Sequence, residues 1–285
     1  MTDLTQITEH VYWLPPAEPD RPSLCAVVGA RRTLMLDAGA SDAHARAFLD
    51  GLAARDIPSP HQIALTHWHW DHVFGAAEFG VSVIAQVETA AKLVQLAQRD
   101  WSDAGLEHHI ALGEQTPGGA ENIKQELPEP RHVRIAQASI TFDSRLDVAL
   151  GSGVTCQLQH VGGDHASDSS VIYVAPDRVL FLGDCLYDAI YTPKRHYTLE
   201  KLLPLIDVLL TFDAAYYVEG HGSKVMNRTE FEELTGKMRR AGTLVQEFGA
   251  NEAAIFAEHQ AQTGTTPDED TEYFVRALIA GLELE

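Results

Sequence analysis

The chain has 285 residues, 45% of them hydrophobic and 22% charged, with a formal net charge of -20. That length and balance suit a soluble globular protein with a sizeable core, and no apolar run is long enough to span a bilayer. So acidic a surface is a poor partner for a polyanion, which argues against nucleic acid as the substrate.

Residues 1–5 carry neither a basic start nor an apolar signal core, so a cytoplasmic location is expected. Cys25, Cys156 and Cys185 are an odd number without a C-x-x-C pair. They fit a reducing compartment and a role as small buried apolar residues.

In chain order, short runs rich in β-branched or aromatic residues and bounded by Pro or Gly predict strands over 10–14, 24–28 and 33–37. A helix is expected over 41–54, where Ala45, Phe48, Leu49 and Leu52 recur at helical spacing and Ser41 is placed to cap it. Strands over 62–66 and 81–85 and a helix over 87–98 follow. Between 100 and 131 the patterning weakens, around Trp101, His108, His109, Gly118-Gly119 and Pro128-Glu129-Pro130. A structureless stretch of that length is a functional lid or a mobile insertion. It is the candidate substrate-covering element, with an exposed insertion without a role as the alternative. His108 and His109 are read as surface or pocket residues, not as ligands.

Strands are expected again over 133–135, 139–142, 154–158, 170–174 and 179–182, then a helix over 199–210 and a strand over 215–218. Beyond 229 the sequence reads as helix over 231–248, 252–262 and 268–282. Each half runs strands and then a helix, which predicts an α+β protein with two sheets between outer helices.

One stretch carries chemistry. Ile63-Ala64-Leu65 leads into Thr66-His67-Trp68-His69-Trp70-Asp71-His72, an H-x-H-x-D-H pattern. Imidazole and carboxylate are ligands of borderline divalent metals. His67 and His69 share a side if the backbone is extended, while Asp71 and His72 belong to the turn that follows. A pair followed by a pair suits two adjacent ions better than one. Further candidates stand at later strand ends: His165 in Gly163-Asp164-His165, Asp184 after Leu182-Gly183, and His221 between Gly220 and Gly222. Each alone is weak; their order makes them strong.

That order, H-x-H-x-D-H, a His in an H-x-x-D-S turn, Gly-Asp and Gly-His, resembles the metallo-β-lactamase-fold hydrolases over residues of about 10 to 225. The resemblance implies an αββα sandwich, expected over 1–228; the helices beyond it match no family motif and are expected to form a C-terminal extension, 229–285, packed on it. The resemblance also implies that His67, His69 and His165 hold one ion, that Asp71, His72 and His221 hold a second, and that Asp184 bridges them. Asp37, in Leu36-Asp37-Ala38-Gly39, matches a strand-end Asp that supports the site from behind. Asp164 stands where family members often carry glycine.

Asp184 argues against true β-lactamases, and His69 in place of Glu argues against flavodiiron oxidases. The glyoxalase II-like and acyl-homoserine-lactonase-like branches remain. The expected cofactors are two Zn2+, with iron or manganese as alternatives, and the expected partner is a small-molecule substrate, with oligomeric state open. The expected reaction is attack on an ester, thioester or lactone carbonyl by a hydroxide generated between the ions, with Asp71 or the second ion assisting the leaving group. Tyr187, three residues after Asp184, resembles a lactonase tyrosine facing the substrate carbonyl; a core tyrosine with a satisfied hydroxyl is the competing reading. Three other activities share parts of the pattern: a mononuclear iron oxidoreductase of the sulfur-dioxygenase kind, a β-lactamase-like amide hydrolase, and a non-enzymatic ligand-binding protein.

Overall fold

A computed structural model describes residues 4–284; residues 1–3, part of the N-terminal stretch considered above, and residue 285 lie outside the described residues. The first sheet runs in chain order: β1 (Thr5–Gln6), β2 (Val11–Leu14), β3 (Leu24–Val28), β4 (Thr33–Leu36), β5 (Gln62–Ala64), β6 (Ser82–Gln86) and β7 (Ile140–Phe142). Pairings up to β4 are antiparallel, and β4 to β7 are parallel. Its connections hold α1 (Asp42–Ala53), α2 (Trp70–Val73), α3 (Ala76–Phe79), α4 (Val87–Leu96), α5 (Asp103–Ala111) and α6 (Pro117–Glu126).

The second sheet contains β8 (Arg145–Gly151), β9 (Val154–His160), β10 (Ser170–Ala175), β11 (Val179–Gly183), β12 (Tyr216–Glu219) and β13 (Met226–Asn227), in the spatial order β13-β12-β11-β10-β9-β8. Only the β11–β12 pair is parallel, joined through α7 (Leu199–Leu210). Helices α8 (Arg228–Phe248), α9 (Glu252–Thr263) and α10 (Glu269–Leu282) complete the chain.

Alternation along the strands builds the layers. In β3, Leu24 and Ala26 pack under the helices, while Cys25 and Val27 face the other sheet. In β11, Val179 and Phe181 face inward and Leu180 and Leu182 meet the helices of the second side. The result is the expected αββα sandwich, with one core between the sheets and one under each helical layer. Each fully buried Leu, Ile or Phe contributes roughly 1.5–3 kcal/mol. Helices α8 and α10 share the outer core of the second sheet, where Tyr217 of β12 stacks on Phe231 of α8 at 3.9 Å. The three cysteines are buried and unpaired, as expected of small apolar residues. Among the described residues no helix is long and apolar enough to cross a membrane.

Three local expectations need correction. The 100–131 stretch is not structureless: Ser102 caps α5 through Gly105 N, and Thr116 caps α6 through Gly119 N with Pro117 in its first turn. Capping starts these helices where apolar periodicity is too weak to announce them. The strand over 133–135 is absent; Val133 and Ile135 lie half-buried against the core in an extended segment without a ladder partner. Strand β8 was not expected at all, yet it forms a hairpin with β9.

Candidate metal centre

The site lies where the carboxyl ends of the parallel strands of both sheets converge. Strand β4 ends before Asp37, β5 delivers Thr66 and His67, β11 ends before Asp184, and β12 leads into Gly220 and His221. His165 comes from the β9–β10 connection. Ser170 N donates to Thr66 O at 2.8 Å, tying the sheets together beside the site. The approach is close enough to require glycine. A Cβ on Gly220 would overlap Asp184 Oδ1, and one on Gly183, whose φ is +53°, would meet the Thr66 side chain.

The seven expected ligand residues fall into two groups: His67, His69 and His165, and Asp71, His72, Asp184 and His221. Within each group the ligand atoms lie within 4.8 Å of one another. Asp184 Oδ2 sits between the groups, 3.3 Å from Nε2 of His165 and of His72, 3.4 Å from that of His221 and 4.0 Å from that of His67. Asp71 Oδ2 approaches Nε2 of His221 at 3.1 Å and of His72 at 3.2 Å.

Nε2 of His67, His69, His72 and His165 and Asp184 Oδ1 are buried without a hydrogen-bond partner among the described residues. Stranding five buried polar atoms in one place is costly unless something binds them, so the donor set fits divalent ions.

On three of these rings the opposite nitrogen has a partner of its own. Asp37 Oδ2 can only accept, so His72 Nδ1, 2.7 Å away, carries the proton. Asp37 also takes the Thr66 amide at 2.7 Å and the Thr66 hydroxyl at 2.8 Å. With its proton spent there, Thr66 Oγ1 accepts from His67 Nδ1 at 3.0 Å. Asp37 holds a left-handed backbone, φ 57°, uncommon for a residue with a side chain but tolerated by Asp. One buried carboxylate thus orients two rings, His72 directly and His67 through Thr66. His165 Nδ1 donates to Asp188 O at 3.2 Å, which leaves its Nε2 lone pair toward the centre.

The two groups differ in charge. Burial, reinforced by neighbouring histidines, holds His67 and His69 well below the ordinary imidazole range. Burial also opposes protonation of His221, but Asp184 and Asp71 outweigh it and raise the ring to about 10. His72 is raised in the same way by Asp184, Asp71 and Asp37 against its burial. Burial pushes Asp71 and Asp184 up, yet His72 and His221 bring both well below the usual carboxylate range.

A cavity of about 620 Å³ opens onto both groups, reaching His69, Asp71, His165, Asp184 and His221. Tyr187 lines it, and its hydroxyl accepts the His221 amide at 3.3 Å. The phenolic hydrogen has no acceptor among the described residues, so it is free to donate into the cavity. Residues 115–119 and Asn122, at the start of α6, form a further wall, so the insertion borders the site by way of ordered helix. Sequence reasoning missed Asp20, Gln115 and Tyr191 in this lining. His108 and His109 belong to neither ligand group; His109 instead meets Glu114 at 3.0 Å. Asp164 accepts from Thr198 N and Oγ1 at 2.8 and 2.9 Å, so the residue in glycine's usual place ties the His165 turn to the start of α7.

The sequence profile of the metallo-beta-lactamase superfamily matches residues 19–221. Comparison with curated proteins returns no match. Among solved structures, a metallo-beta-lactamase family protein from Thermus thermophilus is similar at TM-score 0.61 and 18% identity, over 97% of this chain and 93% of that one. A metallo-beta-lactamase from Pontibacter korlensis is similar at TM-score 0.55 and 17% identity, over 83% and 98%. The stereoselective inverting sec-alkylsulfatase Pisa1 from Pseudomonas sp. is similar at TM-score 0.65 and 16% identity, over 99% of this chain and 49% of that one. At these identities the likeness is one of fold.

Proposed function

Because this chain belongs to the metallo-beta-lactamase superfamily, we propose that it is a dinuclear, zinc-dependent hydrolase of small-molecule esters, thioesters or lactones. The observation that carries this reading is the place of Asp184 Oδ2, within 3.3–4.0 Å of ring nitrogens from both ligand groups. A single carboxylate oxygen shared in this way suits a bridge between two ions. Ions held there supply Lewis acidity and a water acid enough to attack near neutral pH.

The protein's own groups do the rest. His67, His69 and His165 offer ring nitrogens, those of His67 and His69 held neutral by burial, and the second group offers two carboxylates and two rings that lose their protons on loading. Tyr187 donates its free hydrogen to the oxygen that gains charge at the attacked centre. Asp71 stays ionised between His72 and His221, which fits holding an ion better than giving a proton to the leaving group. The start of α6 and the β11–α7 loop wall the cavity in which the reacting bond would lie.

The test is a substrate panel of aryl esters, acyl thioesters and lactones, run on zinc-reconstituted protein. An alkyl sulfate joins the panel because the fold likeness to the sulfatase spans the C-terminal helices. Turnover of a carbonyl ester, abolished by a chelator and restored by zinc, is the expected result. Turnover of the sulfate alone, or turnover indifferent to the chelator, would overturn the reading.

A further inference from the structure

The loop between β11 and α7 carries Asp184, Tyr187 and Asp188, and the C-terminal helix α10 is fastened to it along one face. Tyr273 Oη donates to Asp188 Oδ2 at 2.5 Å. One turn on, Ala277 O accepts the Tyr197 amide at 3.1 Å. A further turn on, Gly281 packs so close to Tyr197 O that a Cβ would collide with it. Spacing of four residues puts all three contacts on one stripe of the helix.

Asp188 is the point where this stripe meets the metal centre. It is 1% exposed, and its carboxylate takes Arg195 Nε at 2.9 Å and Nη2 at 2.6 Å besides the Tyr273 hydroxyl. Bidentate, charge-assisted bonds to a buried carboxylate fix orientation as well as adding energy. Ala189 N donates to His196 O at 2.9 Å, so the loop folds back on itself and presents Arg195 to Asp188. The main-chain oxygen of the same Asp188 accepts His165 Nδ1 at 3.2 Å. The carboxylate is thus held from α10 and Arg195, while the carbonyl sets the ring and tautomer of one candidate ligand.

We propose that Tyr273 and Arg195, acting through Asp188, are positioning residues for His165, so that α10 sets ion affinity at the three-histidine group. The inference rests on the metal-centre reading above. It gives the C-terminal helix a part in the site although it contributes none of the seven ligand residues. Outer partners of metal-ligating histidines typically govern affinity by 10–100-fold. Tyr273 stands one contact further out, so its effect should be smaller.

The full chain is tested by zinc affinity, read by chelator competition, and by the visible spectrum of the cobalt-substituted protein. Tyr273→Phe is expected to weaken one of the two ions about threefold to tenfold and shift the cobalt bands, leaving the other ion unchanged. Asp188→Asn is expected to weaken the same ion further. Lys194→Ala removes the exposed Lys194–Glu283 pair, 2.9 Å, from the same α10 contact without touching Asp188, and should alter neither affinity nor spectrum. Wild-type affinities and spectrum in Tyr273→Phe would overturn the proposal even if Asp188→Asn fails to fold. Equal losses in Tyr273→Phe and Lys194→Ala would also overturn it, by showing a general effect of helix docking. A wild-type chain that takes up no ion would overturn the metal-centre reading and this inference together.

Discussion

The two ligand groups lie side by side yet differ in kind. In the first group burial holds His67 and His69 neutral, and a hydroxyl and a main-chain carbonyl back His67 and His165. Asp71, His72, Asp184 and His221 form a charged set in which two carboxylates draw protons onto two rings. His67 and His69 are ready for an ion as they stand, whereas His72 and His221 must exchange protons for one. The difference implies two sites of unequal affinity and unequal pH dependence, coupled through Asp184.

The largest effect should come from breaking that coupling. Asp184→Ala removes the oxygen that lies 3.3–4.0 Å from ring nitrogens of both sets, and with it several kcal/mol of the proposed charge stabilisation. A drop in kcat/KM of at least about 10³-fold is expected, with loss of at least one ion in the same preparation. A variant that keeps both ions and wild-type turnover would show that the groups are not bridged there.

Asp37 offers a second way to sharpen the contrast, because it backs His72 directly and His67 through Thr66. Asp37→Asn should weaken both ions by about 10–100-fold. Weakening of one ion alone would mean that the Thr66 relay contributes nothing.

The difference in charge should appear in titrations. In the ion-free chain His221 titrates at about 10, so at neutral pH it is protonated and must release that proton to coordinate. Affinity at the charged set should therefore rise with pH between about 6.5 and 10, by roughly tenfold per unit for each proton released. His67 and His69 are already neutral in that range, so they release no protons and flatten the dependence at the other site. Proton release measured calorimetrically in two buffers checks this; equal release for both ions would erase the distinction.

The smallest effect concerns Tyr187. If its free hydrogen meets the oxyanion, Tyr187→Phe should lower kcat about tenfold with ion content intact, less than the 10²–10³ of a lone donor. Lower thermal stability with unchanged kcat would instead make it a packing residue that leaves the His221 amide short of an acceptor.

Legibility followed the density of the signal. His67, His69, Asp71 and His72 stand within six positions, so local spacing alone marks them. His165, Asp184 and His221 are single residues at separate strand ends and become ligands only through their order. The layers were readable because β3, β4 and β11 are buried on both faces and bounded by Gly29, Asp37 and Gly183. Strand β8 escaped notice because Arg145 and Asp147 place charge on its exposed face. Helices α5 and α6 escaped because their glycines and histidines blur the apolar period that capping alone then supplies. The Asp188–Tyr273 contact joins residues 85 positions apart, from an irregular loop to a helix, and no local pattern announces such a pair.

The two sets together are expected to hold two ions at once. Elemental analysis of the full chain, reconstituted with zinc and freed of loosely bound metal, tests it most directly. About two ions per chain are expected in the wild type and about one in His221→Ala, which spares the three-histidine set. A wild-type chain that retains one ion or none would contradict it.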